Sequence, residues 1–260
     1  MLSLEKNGIA KTDLDSLFPG QNVLKKFREA MDEKKRENSA SVKLPASAMP
    51  MGGKGFDKEF MEYIWGGGGT NPVLDVQSPF IGTALDSRVI EIVGAYMEIA
   101  PVFHGFSLQS TIVVPEGSAP HLSQRWHRDP DDAVITKIFI YLTDVLEKGA
   151  GPFMYVKGSQ HGGKWRGLFP QRPPAGFYPP DGVLEKHISA EDIEVCLGKA
   201  GTVVFCDTSG LHKGGYSTTL PRIMFTAGFV SRASLHPVNY TRIAEEQKIS
   251  LSPLALYALK

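Results

Sequence analysis

Only two cysteines occur in the 260 residues, Cys196 and Cys206, so the chain has neither a disulfide framework nor a zinc-binding spacing. Both sit in apolar runs, the setting of buried, inert thiols. No stretch approaches the ~20 consecutive apolar residues that cross a bilayer as a helix. Net charge is missing as well, since 28 basic side chains meet 28 acidic ones. Such a chain has no overall field to draw it to nucleic acid or to an anionic membrane. The opening Met1-Leu-Ser-Leu-Glu-Lys-Asn-Gly8 lacks the apolar core of a signal peptide. The expectation is a cytoplasmic protein whose partner is a small molecule, with no nucleic acid and no membrane; oligomeric state is left open.

What is present falls into two halves. Val23, Leu24, Phe27, Ala30 and Met31 recur at helical spacing, which predicts an amphipathic helix running into the mixed charges of 32–37. Residues 1–20 before it read as an arm. Residues 38–56, rich in Ser, Ala, Pro and Gly, read as a loop that lacks the Lys-Ser/Thr ending of a phosphate-binding motif. Phe60, Met61, Ile64 and Trp65 predict a short helix stopped by the glycines at 66–69. Asp86 caps a further helix carrying Val89, Ile90, Ile92, Val93, Tyr96 and Met97.

From Phe106 the character changes to short β-branched and aromatic runs broken by Gly, Pro and Asp. Candidate strands are 106–114, 122–127, 134–142, 153–157, 202–206, 211–216 and 222–230. Helices first and strands after predict a mainly β fold with α. The expected form is a double-stranded β-helix (jelly roll) with the N-terminal helices packed on one sheet. The expected organisation is one domain, 1–260: a helical part over about 1–100, a jelly-roll core over about 105–231 and a C-terminal extension, 232–260.

The chemistry concentrates at Trp126-His127-Arg128-Asp129. In an extended strand alternate side chains share a face, so the His127 imidazole and the Asp129 carboxylate project together, roughly 6–7 Å apart at Cα. Alone, His-x-Asp is common by chance and reads equally well as a solvated pair. His212, just past the apolar run 202–206, offers a third ligand. Two histidines and one carboxylate fill one face of an octahedron and leave the other positions open, as in non-haem iron oxygenases. Ten residues on, Arg222 opens the apolar run 223–230. A fixed guanidinium beside an open metal position clamps a carboxylate with two parallel hydrogen bonds; a solvated strand-end arginine is the plain alternative.

His127-x-Asp129, the distant His212 and Arg222 resemble the Fe(II)- and 2-oxoglutarate-dependent dioxygenases. The segment Gly149-Ala-Gly-Pro-Phe-Met-Tyr-Val-Lys-Gly158-Ser159-Gln-His161 is similar to the glycine-proline, strand, Gly-Ser-x-His pattern of the phytanoyl-CoA dioxygenase-like branch. The resemblance covers about residues 105–231. It implies Fe(II) on His127, Asp129 and His212, 2-oxoglutarate as cosubstrate with its distal carboxylate on Arg222 and help from Gln124, and dioxygen as the oxidant. No catalytic residue beyond the metal ligands is implied. The implied reaction couples oxidative decarboxylation of 2-oxoglutarate to hydroxylation, or related C–H oxidation, of a small organic substrate. Related halogenases lack the carboxylate, so Asp129 points away from halogenation. Two alternatives stay open. A cupin-like metal enzyme without 2-oxoglutarate would not need Arg222 at that place. A non-enzymatic binding module on the same barrel would have no reason to keep both triad and arginine.

One long interruption remains, 158–190, with Trp165, Arg166, Phe169, Arg172, Phe177 and Tyr178. Loops beyond ~12–15 residues in a compact domain are usually functional or disordered, and the aromatic content argues against disorder. Trp165, Arg166, Arg172 and Phe177 are the expected substrate-binding residues, suited to an organic substrate with an anionic group. The plain alternative is a proline-stiffened loop packed on the barrel. His104, His187 and His236 find no partner in the sequence and read as structural or exposed.

Overall fold

The computed structural model describes residues 2–41, 61–67, 70–172, 177–241, 243, 248, 249 and 251–259. Most of the predicted 38–56 loop, together with Phe60, Gly68 and Gly69, lies outside them. The elements in chain order are α1 (Leu2–Asn7), β1 (Ile9–Asp13), α2 (Leu14–Leu17), α3 (Val23–Ser41), β2 (Met61–Gly66), α4 (Pro79–Ala84), α5 (Ser87–Met97) and β3 (Val102–Thr111). They continue with β4 (Thr136–Tyr141), β5 (Phe153–Val156), β6 (Ile193–Cys196), β7 (Thr202–Asp207), β8 (His212–Gly214), β9 (Ile223–Val230) and α6 (Pro253–Ala258). Six strands form one sheet in the order β1-β7-β4-β9-β3-β2, and three form a second, β6-β5-β8. Every strand pairing is antiparallel. This is the expected jelly roll, with helices on the large sheet.

Alternation along the strands builds two cores. Ile138, Ile140, Val203, Phe205, Phe225 and Ala227 face the helices and pack with Phe27, Phe80, Ile81 and Val89. Phe27 and Phe80 lie 4.4 Å apart at their ring centroids, and Phe80 and Phe225 5.1 Å. Each such ring, once fully buried, contributes about 1.5–3 kcal/mol. Phe139, Tyr141, Val204, Cys206 and Met224 face the other way and meet Phe153, Tyr155 and Cys196 of the small sheet. Strands covered on both faces carry unbroken apolar runs, which is why 202–206 shows no alternation. Asp86 caps α5 as expected, its carboxylate accepting from Arg88 N at 3.0 Å.

Three expectations are corrected. Residues 61–66 are a strand paired with β3, and the register shifts at a bulge between Tyr63 and Trp65, where Ile64 is the extra residue. The extra residue turns Ile64 and Trp65 together toward the helix-packed side while Met61 lines the inner cavity, and burial on both faces gives the apolar residues a spacing that mimics a helix. Residues 122–127 are no strand: Leu122–Gln124 form a 3₁₀ turn, and pairing is confined to a bridge between His127 and His212. Residues 2–20 of the arm are ordered, and β1 closes one edge of the large sheet against β7.

Candidate metal centre

His127 and His212 reach each other through the backbone. Each donates its N–H to the other's carbonyl, at 2.9 and 3.0 Å. A pair that exchanges both hydrogen bonds places its side chains together on one face, and the two imidazole centroids lie 4.1 Å apart. Asp129, two residues on, donates its N–H to Thr208 O at 3.0 Å, which keeps the segment extended. The carboxylate therefore turns to the same side, 3.6 Å from Nε2 of both histidines. The three ligand atoms lie within 4.8 Å of one another, a span that one ion bridges.

The donor set fits a metal. Nδ1 of His127 bonds Arg125 O at 2.8 Å, and Nδ1 of His212 bonds Gly210 O at 3.0 Å. A carbonyl only accepts, so each Nδ1 carries the proton and each Nε2 presents its lone pair to the site. Burial holds both rings neutral. It lowers the His127 pKa against the pull of Asp129; burial and the neighbouring His127 bring His212 down to about 3. Burial works the other way on Asp129, raising it, but Lys137 and the two histidines outweigh this and hold its carboxyl well below the usual range. Two neutral imidazoles and one carboxylate are the ligand states that a divalent ion requires.

These groups line a cavity of ≈ 210 Å³ that also receives Arg222 and Gln124. Arg222, the last residue before β9, is 2% exposed. Its guanidinium donates to Gly151 O, its backbone N–H donates to Thr111 Oγ1 at 2.7 Å, and its Nε has no partner. No carboxylate pairs with it among the described residues. Gly214 lies beside it, its Cβ position in ordinary contact distance, 3.5 Å, of Arg222 Nη2. Gln124 accepts from His121 N at 3.1 Å, while its buried Nε2 is unpartnered.

The expected substrate-binding residues stand elsewhere. Arg128, between the two ligands, points to the opposite face and is 2% exposed. Its guanidinium donates to the carbonyls of Ser159, Ser209, Phe169 and Leu168 at 2.6, 2.7, 2.8 and 3.0 Å. The segment bearing Trp165 and Arg166 is thereby bound to the back of the metal-ligand strand. Phe177 O accepts from Arg128 N at 3.0 Å, and Arg172 is exposed. None of Trp165, Arg166, Arg172 and Phe177 lines the metal cavity. Tyr178 does approach, its ring stacked 5.4 Å from that of His127.

Lys137 is the residue that sequence reasoning missed. Its ammonium donates to Asp129 Oδ2 at 2.7 Å. The signal was there: in Thr-Lys-Ile-Phe-Ile-Tyr, alternation puts Lys137 on the same inward face as Phe139 and Tyr141. Both cysteines are buried and free, and no helix among the described residues is long and apolar enough to cross a membrane.

No family model matches the sequence, and no relative of curated function was found by sequence. Structural similarity is extensive. The epimerase SnoN, in complex with Fe3+, alpha-ketoglutarate and nogalamycin RO, superposes with a TM-score of 0.55 at 16% identity, covering 92% of this chain and 84% of SnoN. EctD from S. alaskensis with bound Fe gives 0.58 at 14% identity, over 94% and 80% of the two chains. HygX from Streptomyces hygroscopicus, with nickel, 2-oxoglutarate and hygromycin B bound, gives 0.53 at 13%, over 88% and 85%. At these identities the likeness establishes the fold.

Proposed function

We propose that this chain is a non-haem iron oxygenase that couples oxidative decarboxylation of 2-oxoglutarate to hydroxylation, or related C–H oxidation, of a small organic substrate. One observation carries the reading: a buried guanidinium with no carboxylate partner among the described residues opens into the same cavity as a two-histidine, one-carboxylate triad. A charge removed from water needs a counter-charge, and a dicarboxylate cosubstrate supplies one. A cupin-like enzyme without that cosubstrate leaves Arg222 unexplained. The neighbours that hold a metal and 2-oxoglutarate, iron in SnoN and nickel in HygX, support the same assignment.

His127, Asp129 and His212 would hold the ferrous ion, which supplies the activation of dioxygen. The protein's part is positioning. Arg222 presents a planar fork to the distal carboxylate, and the free Nε2 of Gln124 adds a donor on the cavity wall. Lys137 orients Asp129 and keeps it ionised. Ser159 Oγ accepts from Leu211 N at 2.7 Å and so braces the residue before His212. The phytanoyl-CoA dioxygenase-like kinship we propose rests on the sequence pattern of 149–161. The intact Asp129 favours hydroxylation over halogenation, and a reducing cytoplasm would suit both ferrous iron and the two free thiols.

The test is an anaerobic titration of the Fe(II)-loaded protein with 2-oxoglutarate. A weak visible charge-transfer band should appear, and it should be absent from His212→Ala. Normal metal binding without the band would refute the 2-oxoglutarate assignment.

A further inference from the structure

Beyond Lys137 two neighbouring positions on the inner face of the large sheet are glycines, with Lys137 lying over Gly228 and Asn239 over Gly105. The geometry points to a substrate chamber there, shaped for a small, neutral, polyhydroxylated molecule of the sugar or cyclitol class. The inference rests on the metal-centre reading above and adds the substrate's side to it.

Strand register creates the space. Lys137 of β4 pairs with Gly228 of β9, and Gly228 pairs with Gly105 of β3. Residues directly opposed on neighbouring strands send their side chains to one face, so two of the three positions in this row carry none. The Lys137 side chain lies across Gly228, its Cγ and Cε 3.7 Å from where a Cβ would stand. Two residues along, Ser107, Thr226 and Phe139 form the next row. Glycine weakens a strand interior and often marks a place where another molecule approaches the backbone closely. Here this row floors a cavity of ≈ 390 Å³, within the ~300–1,000 Å³ of small-molecule sites. That cavity shares Tyr63, Ser107, Lys137 and Thr226 with the metal cavity. The two adjoin along this shared wall, with Lys137 at the junction. Arg222 and Gln124 occupy the metal cavity, which takes the cosubstrate, and the substrate reaches the metal from the other cavity.

The walls of that cavity define the ligand. Hydroxyls come from Thr70, Ser107 and Thr226, and an amide from Asn239. Thr226 Oγ1 and His104 Nε2 are buried with no hydrogen-bond partner among the described residues. A buried polar atom left unpaired costs about 1–3 kcal/mol, so both ask for a polar ligand. Charge does not favour an anion. Lys137 is answered by Asp129 at 2.7 Å, and Asp131, the chamber's carboxylate, stands 4.0 Å from His104 and 3.9 Å from His236. An acyl chain would strand these walls without partners. Ring hydroxyls, each both donor and acceptor, satisfy them. Arg166 and Arg172 line neither cavity, so the chamber has no guanidinium for an anionic substrate.

The test is saturation-transfer NMR on the full chain with Zn(II) and 2-oxoglutarate, using glucose, N-acetylglucosamine and myo-inositol as probes and hexanoate as comparator. At least one polyol should bind and hexanoate should not. Gly228→Val, a β-branched residue in a strand, fills the floor and should weaken that binding at least tenfold. Thr226→Val, which keeps the shape and removes the hydroxyl, should weaken it about fivefold and stands in if Gly228→Val fails to fold. Absence of any polyol signal, preference for hexanoate, or unchanged binding in the folded variants overturns the inference. A parallel Co(II) titration of wild type and His127→Ala separates the two readings. Metal binding that depends on His127, without polyol binding, refutes the chamber alone. Polyol binding sensitive to Gly228→Val, without metal binding, refutes the metal centre alone.

Discussion

Arg222→Ala separates a clamp from a structural arginine. Arg222 is 2% exposed, burial lowers its pKa, and among the described residues no carboxylate answers its charge. Within the chain, its side-chain bond to Gly151 O is the main loss on removal. Removing a buried charge that lacks a counter-charge also removes a desolvation cost. The two effects offset, so the metal-free variant should stay within about 1 kcal/mol of wild type, or roughly 2–4 °C in Tm. The effect on 2-oxoglutarate is different in kind. A hydrogen bond to a charged group contributes about 1.5–3 kcal/mol, which is a roughly ten- to over a hundredfold rise in Kd. Arg222→Lys keeps the charge but loses the fork, and should recover part of this. Calorimetric titration of the Co(II)-loaded protein with 2-oxoglutarate gives the Kd; thermal melting of the metal-free protein gives the stability. A Kd within twofold of wild type, or a Tm collapse beyond 10 °C with affinity retained, refutes the clamp.

Other predictions concern the metal and the loop behind it. His127→Ala and His212→Ala should abolish Co(II) binding and Fe(II)-dependent succinate formation while the far-ultraviolet circular dichroism stays native; near-normal turnover in either would remove it from the ligand set. Metal at a hundredfold excess over its Kd should stabilise the wild type by about 2.7 kcal/mol, and an unchanged denaturation midpoint would argue against a preformed site. Arg128→Met should cost about 3–5 kcal/mol in urea unfolding, because four carbonyls within 3.0 Å lose a buried charged donor. Proteolysis within 163–172 should accelerate in the same variant; a loss below 1 kcal/mol would show that Arg128 does not hold this segment.

The sequence by itself determined the residue types of the metal centre, their order along the chain, and the mainly β class of the fold, though not the two edge strands β1 and β2 within the first hundred residues. His127, Asp129, His212 and Arg222 are recognisable because each is a distinct chemical type at a definite spacing. The α5 cap and most strands are legible because propensity and alternation are local properties. Local signals also misled: burial on both faces of 61–66, with a bulge at Ile64, gave the apolar residues a helix-like spacing, and no window of sequence reveals that the segment pairs with β3. Tertiary structure alone decided which groups meet across the sheet. The row of Lys137, Gly228 and Gly105 joins residues far apart in the chain and depends on two registers at once. Slipping either pairing by one residue would turn the row to the other face. For the same reason the sequence gives no hint that Arg128, directed away from the metal, binds the backbone of the aromatic segment within 158–190. A hydrogen bond from a side chain to a carbonyl some thirty to forty residues distant leaves no trace in composition or periodicity, because every residue has the acceptor.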